Sequence, residues 1–117
     1  MLQDLAAAFG DQASSNVFIP KMLFSEPYKG MSYESRGMYG VCLQKLWKER
    51  DSGLKDDKGC QYFLWTPEEI GQYMNISTET AKACMHELIT AKLMRIEKGA
   101  TEDRIYLLPP QNYEQKA

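Results

Sequence analysis

The stretch TPEEIGQYMNISTETAKACMHELITAKLMRIEKGATEDRIYLL, residues 66–108, decides how this chain is read. Thr66 stands where a helix N-cap is needed, Pro67 takes the first helical position, and Glu68 and Glu69 fill the first turn, where acidic residues are favoured. Ile70, Tyr73 and Met74 recur at helical spacing, and Asn75, one of the few types that tolerates the left-handed region, falls at the following turn. Ser77 caps a second helix, with Thr80 three places on instead of the Glu of a reciprocal capping box. Ala81, Cys84, Met85, Leu88 and Ile89 form its expected buried stripe, and Thr78, Glu79, Lys82, Ala83 and His86 lie opposite. After Leu93 the pattern becomes alternating: Met94 and Ile96, a polar loop at 98–103, then Ile105 and Leu107 predict a hairpin. Its tip, 99–103, is expected to sit exposed beside the second helix. The predicted fold is α+β and mostly helical, a winged helix-turn-helix with a three-helix core, a small antiparallel sheet and a wing. In that layout the front of the second helix reaches base edges in the major groove, and its first-turn amides suit a phosphate.

Length and composition set the bounds. With 117 residues the chain is expected to form one domain at 17–110, preceded by an arm at 1–16 and followed by a tail at 111–117. It is 44% hydrophobic and 26% charged, no apolar run approaches a bilayer-spanning length, and nothing at the start resembles a signal peptide, so a cytoplasmic protein is expected, with no membrane partner. Cys42, Cys60 and Cys84 are odd in number, and with His86 they offer no zinc-ligand spacing, so no metal or other cofactor is expected. The net charge of -2 is unusual for a protein that neutralises phosphates. Between residues 20 and 50, however, Lys21, Lys29, Arg36, Lys45, Lys48 and Arg50 outnumber Glu26, Glu34 and Glu49. Nucleic-acid binding would therefore depend on how these cations cluster and on two copies acting together.

The first half of the chain supplies the remaining elements. Residues 1–16 open with LQDLAAAF, enough for a turn or two of helix. VFIPKMLF is apolar and broken by Pro20, and Pro27 and Gly30 mark further turns. Residues 31–50 predict the longest helix, capped by Ser32, with Met38, Tyr39, Cys42, Leu43, Leu46 and Trp47 as its buried stripe. DSGLKDDKGC reads as a polar loop in which Asp56 and Asp57 form a solvated turn, and QYFLW at 61–65 reads as a strand lying against the wing hairpin. Trp47 and Trp65 fall on apolar stripes and are expected in the core. Tyr28, Tyr33 and Tyr39 are candidates for a dimer surface, with Tyr39 better placed for the core.

FIPKMLF at 18–24, YKGMSYESRGMYGVCL at 28–43, DDKGCQYFLWTPEEI at 56–70, NISTETAKACMHEL and the AKLMRIEKG…RIYLL wing, taken in order, resemble the N-terminal domain of the RepA_N replication initiators of Gram-positive plasmids and related phage elements. The resemblance covers residues 17–108. Its specific parts are the "iPK-Lf…Yk…S…Yg" beginning and the "D-x-x-G-x-x-Y/F" lead into the strand. It implies a homodimer that binds repeated sites of double-stranded DNA in an origin, with host replication proteins engaged through a separate C-terminal domain absent from this chain. The sequence would then be either a domain of a longer initiator or a short standalone relative. The resemblance places DNA reading on Thr78, Glu79, Thr80, Lys82, Ala83 and His86, and phosphate contacts on Ser77, Thr80, Lys98 and Arg104. The wing GATED is acidic where family members often carry Lys, Pro and Asn, which counts against its insertion into a minor groove.

No phosphate-cradling glycine loop or nucleophile elbow is present, and the single His has no evident Ser or Asp partner, so catalysis is not expected. Two other readings share the fold: a transcriptional regulator, and a winged helix that docks proteins without DNA.

Overall fold

The computed structural model describes residues 19–51 and 53–110. The expected arm at 1–16 and tail at 111–117 lie outside them. A 3-10 turn at Lys21–Phe24 leads to α1 (Tyr33–Lys48), a short hairpin of β1 (Leu54–Lys55) and β2 (Gln61–Tyr62), α2 (Pro67–Met74), α3 (Thr78–Thr90), and a hairpin of β3 (Met94–Glu97) and β4 (Arg104–Leu107). Among the described residues no helix is long and apolar enough to cross a membrane.

Each helix starts where its cap predicts. The Ser32 side chain accepts from the Ser35 amide at the start of α1, and Ser77 accepts from the Thr80 amide at the start of α3. Thr66 goes further: its hydroxyl accepts from the Glu69 amide while the Glu69 carboxylate accepts from the Thr66 amide, a complete capping box. Asn75 closes α2 at φ 62 and ψ 43, in the left-handed region. Gly71, buried in α2, permits the tight turn that follows. A Cβ there would stand 2.9 Å from the Ile76 carbonyl oxygen and 3.4 Å from that of Ser77.

The core gathers one stripe from each helix: Met38, Tyr39, Cys42, Leu43 and Leu46 from α1, Ile70 from α2, and Ala81, Cys84, Met85 and Leu88 from α3. Leu23 and Tyr28 join it from the segment ahead of α1, and Phe63, Leu93, Met94, Ile105 and Leu107 from the two hairpins and the turn before β3. Trp47 and Trp65 pack on this core while remaining half-buried. Burial raises the Tyr39 phenol far above its ordinary value, and its hydroxyl donates to the Leu108 carbonyl at 2.7 Å, tying α1 to the end of the wing. Burial likewise pushes the Cys42 thiol up to about 12.

Three expectations are corrected. Ile89 is 38% exposed rather than buried. It lies roughly 80° around the helix from Ala81, at the edge of the stripe, where it borders the groove towards the wing. The strand expected at 61–65 is only Gln61–Tyr62, paired with Leu54–Lys55 inside the segment read as a loop; Phe63 forms a single bridge to Ile105 and thereby joins this hairpin to the wing. Tyr28 is buried in the core, which leaves Tyr33, 76% exposed, as the surface member of the three tyrosines.

Candidate nucleic-acid interface

The outer face of α3 is set by helical geometry. With Ala81, Cys84, Met85 and Leu88 turned inward, Glu79, Lys82, Ala83 and His86 recur at i, i+3, i+4 and i+7 on the far side, and all four are exposed. Among the described residues Glu79, Lys82 and His86 have no hydrogen-bond or ion-pair partner, so their polar ends are available to a ligand. Ser77 and Thr80 are committed to the cap: the Ser77 hydroxyl accepts from the Thr80 amide at 3.0 Å and donates to the Thr80 hydroxyl at 2.9 Å. Thr78 and Thr80 are half-buried.

A groove of ≈ 390 Å³ separates α3 from the wing. Lys82, His86 and Ile89 line it on the helix side, Ile96, Lys98 and the tip residues Thr101, Glu102 and Asp103 on the wing side, and Trp65 at its end. The fold thus brings Lys82, His86 and Lys98 around one opening. The Lys98 ammonium donates to Asp103 at 3.1 Å, and Asp103 also accepts from the Gly99 amide at 3.3 Å. These contacts, led by Lys98, hold the Asp103 carboxyl below its ordinary value. They close the wing tip around Gly99, where a Cβ would collide with the Glu102 carbonyl oxygen at 1.9 Å. Lys98 therefore enters the groove with its charge partly balanced.

Arg104 stands apart. Met94, Ile96, Ile105 and Leu107 occupy the core face of the hairpin, so Arg95, Glu97, Arg104 and Tyr106 share the opposite one. There the Arg95 guanidinium lies 4.0 Å from the Tyr106 ring centre, and that of Arg104 lies 4.5 Å from Tyr62. Tyr106 donates to Asp56 at 2.9 Å, and the other Asp56 oxygen accepts from the amides of Lys58 and Cys60. The Cys60 amide first, and the Tyr106 hydroxyl next, hold the Asp56 carboxyl below its ordinary value. Asp56 is thus the organiser of its turn and a clasp to the wing, beyond the solvated turn expected. The signal was the spacing Asp56, Gly59, Tyr62: Gly59 sits at φ 81, and the Tyr62 ring meets Tyr106 at 5.7 Å.

Behind α3, Glu87 anchors the helix to α1. One carboxylate oxygen accepts from the Ser32 amide at 3.3 Å, the Ser32 hydroxyl at 2.8 Å and, at short range, the Ser35 hydroxyl. These bonds, that from Ser35 foremost, hold the Glu87 carboxyl below its ordinary value. The carboxylate also sits at the N-terminus of α1, where negative charge is favoured. Arg36, counted from sequence among the cations available for phosphate, is buried instead. Its guanidinium donates to the carbonyls of Leu23, Tyr28 and Lys29 at 2.9, 3.1 and 2.9 Å, and Phe24 and Tyr33 flank it. It ties the segment ahead of α1 to that helix, and no sequence pattern of charges reports such carbonyl partners.

Comparison with known proteins bears on this geometry. A solved structure described as the N-terminal domain of a DNA-binding protein superposes with a TM-score of 0.76 at 22% identity, covering 85% of this chain and 78% of that one. The structure of an MDR initiator gives 0.74 at 22% identity over 85% and 80% of the two chains. A Rep–DNA complex gives 0.74 at 24% identity over 85% and 78%. These likenesses agree on the winged-helix fold. No curated protein matches the sequence. The family model for the N-terminus of replication initiator protein A (RepA) matches residues 16–116, nearly the whole chain, and the protein belongs to the RepA_N family.

Proposed function

We propose that this chain is the DNA-binding N-terminal domain of a plasmid replication initiator, which recognises repeated double-stranded sites in an origin through α3. The observation that carries the reading is the exposed, unengaged stripe of Glu79, Lys82, Ala83 and His86 on the second helix of a helix-turn-helix. Membership of the RepA_N family supports the replication role, and likeness to a Rep–DNA complex supports DNA as the ligand. In this reading Ser77, Thr78 and Thr80 lie at the end of α3 where its first-turn amides meet a phosphate, and Lys98 approaches from the wing. Arg104, on the other face of the hairpin, would reach only a phosphate passing outside the wing. The domain acts as a homodimer, binds no cofactor, catalyses nothing, works in the cytoplasm, and leaves host replication proteins to a C-terminal domain outside this sequence.

Fluorescence anisotropy with duplexes from the element's own origin, its own promoter and a scrambled control tests the reading, titrated with salt. Origin binding that weakens steeply as salt rises is expected, because each neutralised phosphate adds about 0.9 to the logarithmic slope. Preference for the promoter would instead favour a transcriptional regulator. No binding at low salt would refute DNA recognition. It would favour protein docking, the reading to which the net charge of -2 and the withdrawal of Arg36 into the core lend weight.

A further inference from the structure

We infer that Glu79 is a specificity-determining residue, which accepts a hydrogen bond from the exocyclic amino group of a cytosine in the major groove, while Lys82 one turn on takes a neighbouring guanine. The inference rests on the DNA-binding reading above and concerns which base pairs that site selects. An exposed carboxylate at the front of a DNA-facing stripe has to be explained, because it repels the phosphates that supply most non-specific affinity. In its ordinary role a Glu in the first turn of a helix is stabilised by the helix dipole, and Glu79 does occupy that turn. Its placement fits a second role as well. It shares the outward stripe with Lys82, Ala83 and His86, opposite the core, and it has no partner among the described residues.

In the major groove, cytosine presents an amino donor that a carboxylate accepts, and guanine presents two acceptors that suit a lysine. Residues 79 and 82 are three apart, about 4.5 Å along the helix axis, comparable to the roughly 3.4 Å step between base pairs. The two side chains therefore address adjacent pairs. Ala83, small and apolar, leaves room beside them, where a methyl contact with thymine is the matching chemistry. The rest of the face adds little cationic attraction. Glu102 and Asp103 line the groove between the wing and the later turns of α3, which Glu79 itself does not line, and Lys98 is held by Asp103. A face with this many carboxylates gains little from phosphates alone. It binds where base-edge contacts offset the repulsion, and a cytosine opposite Glu79 is one such contact.

The test is selection from a duplex library with a randomised central segment, using the wild-type chain, Glu79→Ala and Glu79→Gln, followed by affinities for every single-base variant of the selected site. The wild type is expected to require one cytosine, whose replacement weakens binding by roughly 5- to 150-fold. Glu79→Ala should flatten that position alone, keep the remaining base preferences, and bind unrelated duplex more tightly. Glu79→Gln should move the preference at that position towards adenine, since an amide pairs with the adenine edge. A change in melting temperature without a change in base profile would leave only the helix-dipole role and overturn the inference, as would a selected site with no cytosine requirement. Failure of the wild type to select any duplex would instead defeat the DNA-binding reading, and the inference with it.

Discussion

Replacing Arg36 by Ala should unfold more of this protein than any surface change, and the expected cost follows from the atoms around it. Arg36 is 4% exposed, and its guanidinium donates three hydrogen bonds to main-chain carbonyls. Those to Leu23 and Tyr28 are buried, so truncation leaves two acceptors without water, at about 1 to 3 kcal/mol each. The third, to Lys29, is only partly buried and can be rehydrated. Loss of the contacts with Phe24 and Tyr33, whose rings are themselves exposed, adds about 0.5 to 1 kcal/mol. Against this, removing the cation recovers part of the cost of burying a charge that has no ion-pair partner among the described residues. The net loss is about 2 to 5 kcal/mol, a large share of the roughly 5 to 15 kcal/mol that holds a domain of this size. Urea unfolding followed by the fluorescence of Trp47 and Trp65 measures it, and Tm should fall by at least about 8 °C. Arg36→Lys, which keeps the charge but not the fork, should lose less. An unchanged unfolding midpoint, with DNA affinity and its salt slope both reduced, would refute the structural role and return Arg36 to the phosphate-binding cations.

Other perturbations probe the frame that presents α3. Gly71→Ala places a methyl against the Ile76 carbonyl oxygen at 2.9 Å, so the turn must open; a loss of about 1 to 3 kcal/mol in denaturant unfolding is expected, despite alanine's better helix propensity. A stabilised variant would show that the turn has slack. Thr66→Ala removes one half of the capping box and should cost about 0.5 to 2 kcal/mol, read as Tm by circular dichroism; a Tm equal to the wild type would mean that the box adds nothing. Glu87 is held below its ordinary carboxyl value in the folded state, so it contributes stability above its unfolded value, and that contribution is lost as pH falls through the folded one. Glu87→Gln should therefore flatten the acid limb of a stability-versus-pH curve while leaving its shape near neutrality, and an unaltered limb would count against the anchor.

How much of this was legible in the sequence depends on the range of the interactions. Caps at Ser32, Thr66 and Ser77 and the left-handed Asn75 are local, each fixed by a side chain reaching its own helix end, and they appear where the letters place them. The winged-helix fold follows from those stops and starts plus two periodicities. β1 was hidden because both Leu54 and Lys55 are exposed, so no alternation marks them. Ile89 was misplaced because a stripe edge and a stripe centre carry the same residue type. Arg36 was misread because its partners are carbonyls 7, 8 and 13 residues away, and every residue has a carbonyl. At the candidate interface, sequence identified the outward stripe of α3, but it could not show that the candidates outside the stripe are engaged: Ser77 with Thr80, Lys98 with Asp103, Arg104 over Tyr62.

That distinction changes what the segments ahead of the helix-turn-helix contribute. Read as letters, they supply cations; folded, Arg36 is a buried clamp, Lys45 pairs with Glu49 at 2.9 Å beside Trp65, and Arg50 stacks 4.0 Å from Trp47. The residues that make the beginning of the chain distinctive serve geometry instead. Leu23 and Tyr28 receive Arg36, Ser35 reaches Glu87 on α3, and Tyr39 reaches Leu108 beyond the wing. The bonds of Arg36 fix α1 to the segment ahead of it, and those of Ser35 and Tyr39 fix it to α3 and to the end of the wing, which flank the groove. Lys21, Lys29 and Lys48 stay exposed on the same segment, so in the DNA-binding reading proposed above charge still assists, while the placement of α3 and the wing sets which base contacts are made. In the homodimer proposed above, two copies on repeated sites would double the correctly placed base contacts, and spacing between the copies would add a selectivity that arbitrary DNA does not meet.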